Sequence, residues 1–134
     1  FKGIPIDVYN HGDLLRDFTY VDDLVEAIRR LMDTPPEMGA PAGQNDSLSP
    51  VAPYRLVNIG NETPVRLMDY IEAIEDAIGR KAIKNMIGMQ PGDVKQTYAD
   101  ASLLKALTGY VPTTDVRTGV TAFVKWYREY YKPE

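Results

Sequence analysis

The sequence predicts a mixed α/β fold, because strand-like and helix-like hydrophobic patterns alternate along it. Residues 4–9, IPIDVY, alternate apolar residues with polar or turn-forming ones, as a strand with one buried face does. Residues 21–32 place apolar side chains at helical spacing, and residues 67–78 repeat that spacing before Gly79. We therefore expect an α/β domain, or an α+β arrangement when the chain is isolated.

The first strand and the first helix are joined by a predicted turn at 10–13, NHGD. The helix is expected to begin at Val21 with Thr19 as its cap. Asp22 and Asp23 fall in the first turn, where negative side chains interact favourably with the helix dipole.

The middle of the chain begins with residues 33–53, which are dense in Pro, Gly, Ser and Asn and predict a long mobile loop. The segment YRLVNIG, ending at Gly60, is typical of a short strand. A second helix is then expected, with Thr63 as its N-cap and Pro64 as its first residue.

The last third predicts two short strands, KAIKNMIGM and KQTYA, on either side of the turn QPGD. Asp100 is the expected cap of a short helix that Gly109 ends, and a longer helix begins near Asp115. That last helix carries an aromatic cluster, which we assign to core or inter-lobe packing: Phe123, Trp126, Tyr127, Tyr130 and Tyr131.

Composition excludes several classes of function. The chain has 134 residues and a formal net charge of −4, without the clustered positive charge that a nucleic-acid binder needs. It has no cysteine, which excludes disulfides and thiolate catalysis, and its single histidine, His11, excludes a multi-histidine metal site. No apolar run reaches membrane-spanning length. We expect a cytoplasmic protein with neither a metal nor a membrane partner.

The usual catalytic motifs are also missing. The sequence contains no G-x-S-x-G, P-loop, H-E-x-x-H or G-x-G-x-x-G pattern. Nothing marks His11 as a base, and the adjacent Asp22 and Asp23 point in different directions on a helix. We therefore expect no catalytic residue in this chain.

Several collinear motifs resemble one family. RDFTYVDDLVEAI, with GIPIDVYNHGDLL before it, is similar to a segment of the extended short-chain dehydrogenase/reductases, the nucleotide-sugar epimerases and dehydratases. VNIGNETPVRLMDYIEAIEDAIG and MQPGDVKQTYADASLLKALTGY follow at matching separations. Within the family, APYRLVNIGN, LMDYI and MQPGDV look most like UDP-glucuronate 4-epimerases.

The resemblance implies that residues 1–134 are the C-terminal nucleotide-sugar-binding part of a Rossmann-type epimerase, together with a strand and a helix of the Rossmann half. The N-terminal NAD-binding domain, with its catalytic residues and cofactor site, is then absent. The parent enzyme would use NAD to invert C4 of UDP-glucuronate by transient oxidation, and this chain alone would be inactive. An exposed docking surface for the other lobe would favour a homo-oligomer.

The resemblance also implies which residues bind the UDP-sugar. Arg16 would hold the diphosphate, for which a guanidinium is suited because it donates paired hydrogen bonds and stays charged. The alternative is a surface arginine paired with Asp13 or Asp17. Tyr9 would stack on the uracil, or simply pack at a strand edge, and Asn10 would meet the uracil edge.

Asp93 would accept hydrogen bonds from the ribose hydroxyls, as acidic residues do in dinucleotide sites. Its alternative is a turn residue that bonds its own backbone. Gln90 stands where UDP-galactose epimerases carry an arginine, which removes one positive contact and leaves its role open. Asp17 and Phe18 are expected to be structural and to orient Arg16.

Two kinds of alternative stay open: another enzyme with the same scaffold, and a protein without catalytic activity. The same scaffold serves UDP-glucose 4-epimerases, UDP-glucuronate decarboxylases and sugar dehydratases. A member of a different class, a non-catalytic binding module, would show the same lack of catalytic motifs. Turnover of candidate UDP-sugars separates the enzymes from one another.

Overall fold

The structure, a computed structural model, describes residues 1–133. It divides into two compact units. Unit 1 comprises Phe1–Arg16, Pro64–Thr97 and the described residues from Asp115 onward. Unit 2 comprises Asp17–Thr63 and Tyr98–Thr114. Helices and short strands alternate along the chain, so the mixed fold class expected from the sequence is confirmed.

Unit 1 contains two small sheets. Strand β1, Ile6–Val8, pairs in parallel with β4, Lys84–Met86. Strand β2, Leu15–Arg16, pairs antiparallel with β3, Val65–Arg66. The expected first strand is therefore confirmed, and its partner is the first of the two strands expected near the QPGD turn. The second expected strand, KQTYA, contributes only a single bridge, between Gln96 and Leu15.

Helices α2, Leu67–Ile78, and α4, Val116–Tyr131, pack together in unit 1. Their contact is centred on Ala73, Val120 and Val124, which are 4–7% exposed. Partly buried apolar side chains surround this core: Phe1, Tyr70, Ile74, Ala77, Ile78 and Val116.

Helix α2 begins later than the sequence predicted. Pro64 is not its first residue, because Val65 and the following arginine extend to pair with β2, and the helix begins at Leu67. Thr63 is therefore not the cap. The predicted end is confirmed, since Gly79 takes a left-handed φ of 76° and its N–H bonds the Glu75 carbonyl.

Helix α4 begins as predicted, with the Asp115 carboxylate accepting a hydrogen bond from the Thr118 N–H at 3.0 Å. Of its aromatic cluster, Tyr127 is half-buried and stacks on Phe1 with ring centroids 5.3 Å apart, whereas three other members are not part of a core of the described residues. The predicted inter-lobe packing stays a prediction. Phe123, Trp126 and Tyr130 are 48–69% exposed and contact one another along the helix. Val120 and Val124 of the same helix are buried instead and pack against α2.

Unit 2 is built on helices α1, Val21–Met32, and α3, Ser102–Thr108. Its core contains Ala27, Ala101 and Leu104. The predicted Thr19 cap is wrong, because Tyr20 precedes the helix in extended conformation and no side chain caps it. The predicted Asp100 cap is also wrong, because Ala101 occupies the N-cap position of α3, although Asp100 accepts a hydrogen bond from the Ser102 N–H at 2.8 Å. The left-handed Gly109 ends α3 as predicted.

The predicted strand YRLVNIG is not a strand in the structure. Val57 and Ile59 contribute apolar packing to the unit 2 core, but no described strand lies beside them to form a ladder. This segment therefore buries apolar side chains without pairing as a strand. Its tertiary surroundings override its local β-propensity.

Residues 33–53 contain no helix or strand, as predicted. The predicted mobility stays a prediction, and a buried ion pair bears on it. Arg55 donates two hydrogen bonds to Asp46, at 2.8 and 2.9 Å, and the two side chains are only 6% and 1% exposed. Asp46 also accepts from the backbone N–H groups of Ala42 and Leu48. These bonds hold the pKa of Asp46 below its ordinary value.

Helix α1 exposes much of its apolar side. Val21, Val25, Ile28 and Met32 are 49–76% exposed, at the spacing of one helix face. No helix within residues 1–133 is long and apolar enough to cross a membrane.

Glu75 is a buried carboxylate that ties α2 to β4. Its side chain is 5% exposed, forms an ion pair with Lys84, and accepts from the Ala82 N–H at 2.9 Å. Lys81 contacts its second oxygen at 3.0 Å. The Lys84 hydrogen bond, followed by those from Ala82 and Lys81, lowers the Glu75 pKa from 4.5 to about 2.

We predict that Glu75 makes the stability of the chain depend on acid pH. Because its folded pKa is depressed, its contribution is fully present above pH 4.5 and is lost as the pH falls toward about 2. Glu75→Gln should lower the melting temperature at pH 7 and flatten its dependence on pH between 4.5 and 2. Circular dichroism melts across this pH range measure both effects.

The matched control is Glu72→Gln, on the same helix, whose side chain is 54% exposed. It should leave both the melting temperature and its pH profile near wild type. A Glu75→Gln chain with an unchanged acid profile would contradict the role of this carboxylate.

Candidate functional site

The five predicted binding residues all lie in unit 1, and four of them follow the carboxyl ends of its parallel strands. Tyr9 and Asn10 come directly after β1, while Gln90 and Asp93 follow β4. The two loops are joined, since the Ile87 N–H donates to the Val8 carbonyl at 3.0 Å. In open parallel sheets, ligands bind outside this edge, so the topology supports a site here.

The loop after β1 is a tight turn, Tyr9–Gly12, in an unusual conformation. Asn10 and His11 have φ angles of 48° and 49°, and Gly12 follows at 82°. The Asn10 side-chain amide donates to the Asp13 carbonyl at 2.7 Å, and the His11 N–H donates to the Ile87 carbonyl. These bonds hold Asn10 and His11 in the left-handed conformation. That conformation costs a non-glycine residue about 1–3 kcal/mol.

Asn10 therefore already uses its amide N–H₂ group within the turn, which leaves its Oδ1 as the atom suited to a uracil N–H. Tyr9 is half-buried at the start of the same turn. Both assignments stay predictions.

The loop after β4 contains the predicted QPGD turn. The Asp93 N–H donates to the Gln90 carbonyl at 3.1 Å, and Gly92 has a φ of 85°. The ring of Pro91 fixes its own φ at the value that the first central residue of a type II turn needs. The Pro91-Gly92 pair therefore suits this turn type. The turn leaves the Gln90 side chain exposed and ends at Asp93, which is half-buried.

Arg16 and Asp93 meet directly. The Arg16 Nη2 donates to Asp93 Oδ1 at 2.8 Å, and the two side chains are 22% and 30% exposed. The Arg16 Nη1 donates to the carbonyls of Leu15 and Lys95, at 2.9 and 3.3 Å. Arg16 therefore forms an ion pair with Asp93, which is itself one of the residues expected to bind the substrate.

The backbone sets this pairing. The Leu15 N–H donates to the Lys95 carbonyl at 2.9 Å, and the Leu15 carbonyl accepts from Thr97 N–H at 3.2 Å. Leu15 is thus bonded to the segment after Asp93 on one side and to β3 on the other. This register brings Arg16 beside Asp93, although 77 positions separate them in the sequence.

Asp93 also behaves in part as the turn alternative proposed, because its Oδ1 accepts from the Val94 N–H at 2.8 Å. Both described contacts use the same oxygen. Within residues 1–133, Oδ2 makes no hydrogen bond, which leaves an acceptor for a ligand hydroxyl. The turn bond and the Arg16 pair are therefore compatible with each other.

Asp17 has a structural role within unit 2. Its Oδ2 accepts hydrogen bonds from the backbone N–H groups of Glu62 and Ala99, both at 3.2 Å. Gly60 lies against it, and a Cβ at this glycine would overlap the side chain of Ala99. The aspartate of the R-D-F motif thus fixes backbone next to the core.

Sequence reasoning missed the carbonyls of Leu15 and Lys95 as partners of Arg16. No signal in the sequence marks them, because every residue carries a backbone carbonyl and only the strand register selects these two. Among residues 1–133 no cluster of three or more potential metal ligands occurs.

The comparisons with known proteins match this architecture. The structure superposes on UDP-glucuronic acid 4-epimerase from Bacillus cereus, crystallised with UDP-glucuronic acid and NAD, with a TM-score of 0.76 and 27% sequence identity. The match covers 97% of this chain and 37% of the other. The fold of this chain is thus similar to that of part of a Rossmann-type epimerase.

The family follows from the sequence match. The protein-family model described as GDP-mannose 4,6 dehydratase matches residues 5–123, so the chain belongs to this family. It is 50% identical over 134 residues to a probable UDP-glucuronate 4-epimerase of Rhizobium meliloti, across 98% of this chain and 39% of the relative. It is 40% identical to UDP-glucuronate 4-epimerase 4 of Arabidopsis thaliana, across 97% of this chain and 30% of that protein. The chain thus spans well under half the length of these relatives.

We predict that Gly12→Ala destabilises the turn that carries Tyr9 and Asn10. A Cβ at Gly12 would lie 2.6 Å from the Met68 sulfur, and its φ of 82° disfavours any side chain. Unfolding in urea should show a loss of about 1–3 kcal/mol.

Gly43→Ala is the matched control, since nothing lies within 4 Å of the position that its Cβ would occupy. It should change the free energy of unfolding by less than about 0.5 kcal/mol. Equal effects of the two substitutions would argue against the constrained turn.

Proposed function

We propose that this chain is the substrate-binding part of an NAD-dependent UDP-glucuronate 4-epimerase and holds the UDP portion of its substrate. The observation that carries the proposal is Arg16, fixed by Asp93 and the Lys95 carbonyl in the loop after β4 and by the carbonyl of Leu15. The relatives named as UDP-glucuronate 4-epimerases supply the substrate class.

Arg16 is suited to the diphosphate. Its guanidinium is partly exposed and fixed by three hydrogen bonds, so binding an anion requires little further ordering of the side chain. A phosphate accepts paired, charge-assisted hydrogen bonds from such a group. Lys95, whose carbonyl accepts from Arg16, is exposed two residues after Asp93 and is a second cation available to a doubly charged ligand.

The remaining residues serve the nucleoside in this proposal. The Tyr9 ring stacks on uracil, a contact that is worth about 1–3 kcal/mol for nucleic-acid bases. Asn10 meets the uracil edge through Oδ1, and Asp93 accepts a ribose hydroxyl through Oδ2. Gln90 is exposed beside them and offers a neutral amide where an arginine would add charge.

This chain does not contain the sequence motif that binds NAD, the cofactor of the proposed enzyme. The sequence has no glycine-rich dinucleotide turn, and the two sheets of residues 1–133 have two strands each. In the proposed enzyme NAD supplies the transient oxidation at C4, and this chain contributes affinity and orientation of the sugar nucleotide. We propose that the chain alone is inactive and that the enzyme acts in the cytoplasm in carbohydrate metabolism.

The test is UDP binding by the 134-residue chain. Isothermal titration should show saturable binding of UDP, which Arg16→Lys weakens about tenfold because lysine keeps the charge but loses the paired donors. The same wild-type sample, supplied with NAD and UDP-glucuronate, should show no turnover.

Arg29→Lys is the control, an exposed arginine of α1 whose ion pair with Glu26 has the same 2.8 Å length as that of Arg16. It should bind UDP as wild type does. The proposal fails if UDP does not bind, or if both substitutions weaken binding equally.

A homo-oligomer is a further part of the proposal. The exposed apolar side of α1 and the exposed aromatic cluster of α4 support it, because contiguous apolar surface promotes self-association. Light scattering should show a mass above that of one chain, which increases with concentration. A constant monomer mass from micromolar to millimolar protein would refute self-association.

A further inference from the structure

Only some of the N–H donors of the Arg16 guanidinium form hydrogen bonds. Its Nη1 donates to two backbone carbonyls, those of Leu15 and Lys95, and its Nη2 donates to Asp93. A guanidinium has five N–H donors, so three are engaged. Within residues 1–133, the Nε–H and the second Nη2–H make no hydrogen bond.

The three partners come from both segments that flank the guanidinium. Leu15 belongs to β2, whereas Asp93 and Lys95 belong to the loop after β4. Bonds at both terminal nitrogens oppose rotation of the group about its Nε–Cζ bond. The two remaining donors are therefore held in one plane, and the Arg16 side chain is 22% exposed, so part of it is accessible to a ligand.

If charge alone mattered, Asp93 would weaken the binding of an anionic ligand at Arg16. Its carboxylate lies 2.8 Å from Arg16 and offsets the positive charge that an anionic ligand would meet. If Coulomb attraction were the whole of phosphate binding, removing this negative charge would strengthen it. Any loss of phosphate affinity on its removal must therefore arise from the geometry of the guanidinium.

We propose that Asp93 is a positioning residue for Arg16, which it holds so that the free Nε–H and Nη2–H donors meet two oxygens of a diphosphate. The inference rests on the proposed function and adds to it. It gives Asp93 a task in the phosphate subsite that is separate from any contact of Oδ2 with ribose.

The first test needs no ligand. In nitrogen-15 NMR of the wild-type chain, the Arg16 guanidinium should show slowed rotation about Nε–Cζ, with separate signals for its two terminal nitrogens. Asp93→Asn should merge these signals. Free rotation of Arg16 in the wild-type chain would overturn the inference, whatever the ligand results.

The second test uses inorganic pyrophosphate, which has phosphate oxygens and no ribose. Asp93→Asn should weaken pyrophosphate binding about fivefold, although it removes a negative charge. Unchanged or tighter pyrophosphate binding, together with weaker UDP binding, would show that Asp93 is a ribose ligand only and would overturn the inference.

Asp13→Asn is the matched control for charge, since Asp13 is an exposed aspartate of the loop after β1. It should leave pyrophosphate affinity unchanged or slightly higher, and Arg16 rotation slow. An equal loss of affinity in Asp13→Asn and Asp93→Asn would contradict a specific role for Asp93.

The outcomes separate the two proposals. If the wild-type chain binds neither UDP nor pyrophosphate, the proposed function fails, and with it the use of the two free donors. If UDP binds and Arg16→Lys weakens it, but Asp93→Asn leaves pyrophosphate unaffected, the proposed function stands and the positioning role is wrong.

Discussion

The backbone of Leu15 is the constraint on which the candidate site depends. It is hydrogen-bonded to residues 95 and 97 on one side and paired with β3 on the other. Arg16, the next residue, has no freedom to leave this position without breaking both contacts. A two-residue strand, too short to stabilise a sheet by itself, thus serves to place one guanidinium beside one carboxylate.

Two turns on either side of this strand complete the arrangement, and each depends on a left-handed glycine. Gly12 ends the turn after β1, where Met68 leaves no room for a side chain. Gly92 sits in the turn that ends at Asp93. The buried Glu75 holds α2 against β4 through its bonds to Lys84 and Ala82. Rigid local structure around a partly exposed arginine is what an anion site needs, since the side chain loses little freedom on binding.

Much of this could be predicted from local sequence. The strand at residue 6, the helix at Val21, the glycines that end α2 and α3 and the start of the last helix near Asp115 all follow from patterns of a few residues. The predictions that failed were also local. Thr63 and Pro64 look like a helix start, but β2 recruits the following residues as a strand. YRLVNIG looks like a strand, but it has no partner among the described residues and packs as a coil.

The sequence by itself determined the residue types of the site and their family, because a motif such as R-D-F-T-Y-V-D-D or Q-P-G-D is contiguous and keeps its chemistry wherever it lies. Only the tertiary structure decided that Arg16 bonds Asp93, 77 positions away, and that the Leu15 and Lys95 carbonyls share it. The physical reason is register: hydrogen bonds between distant backbone segments set which side chains meet, and backbone groups are the same in every residue.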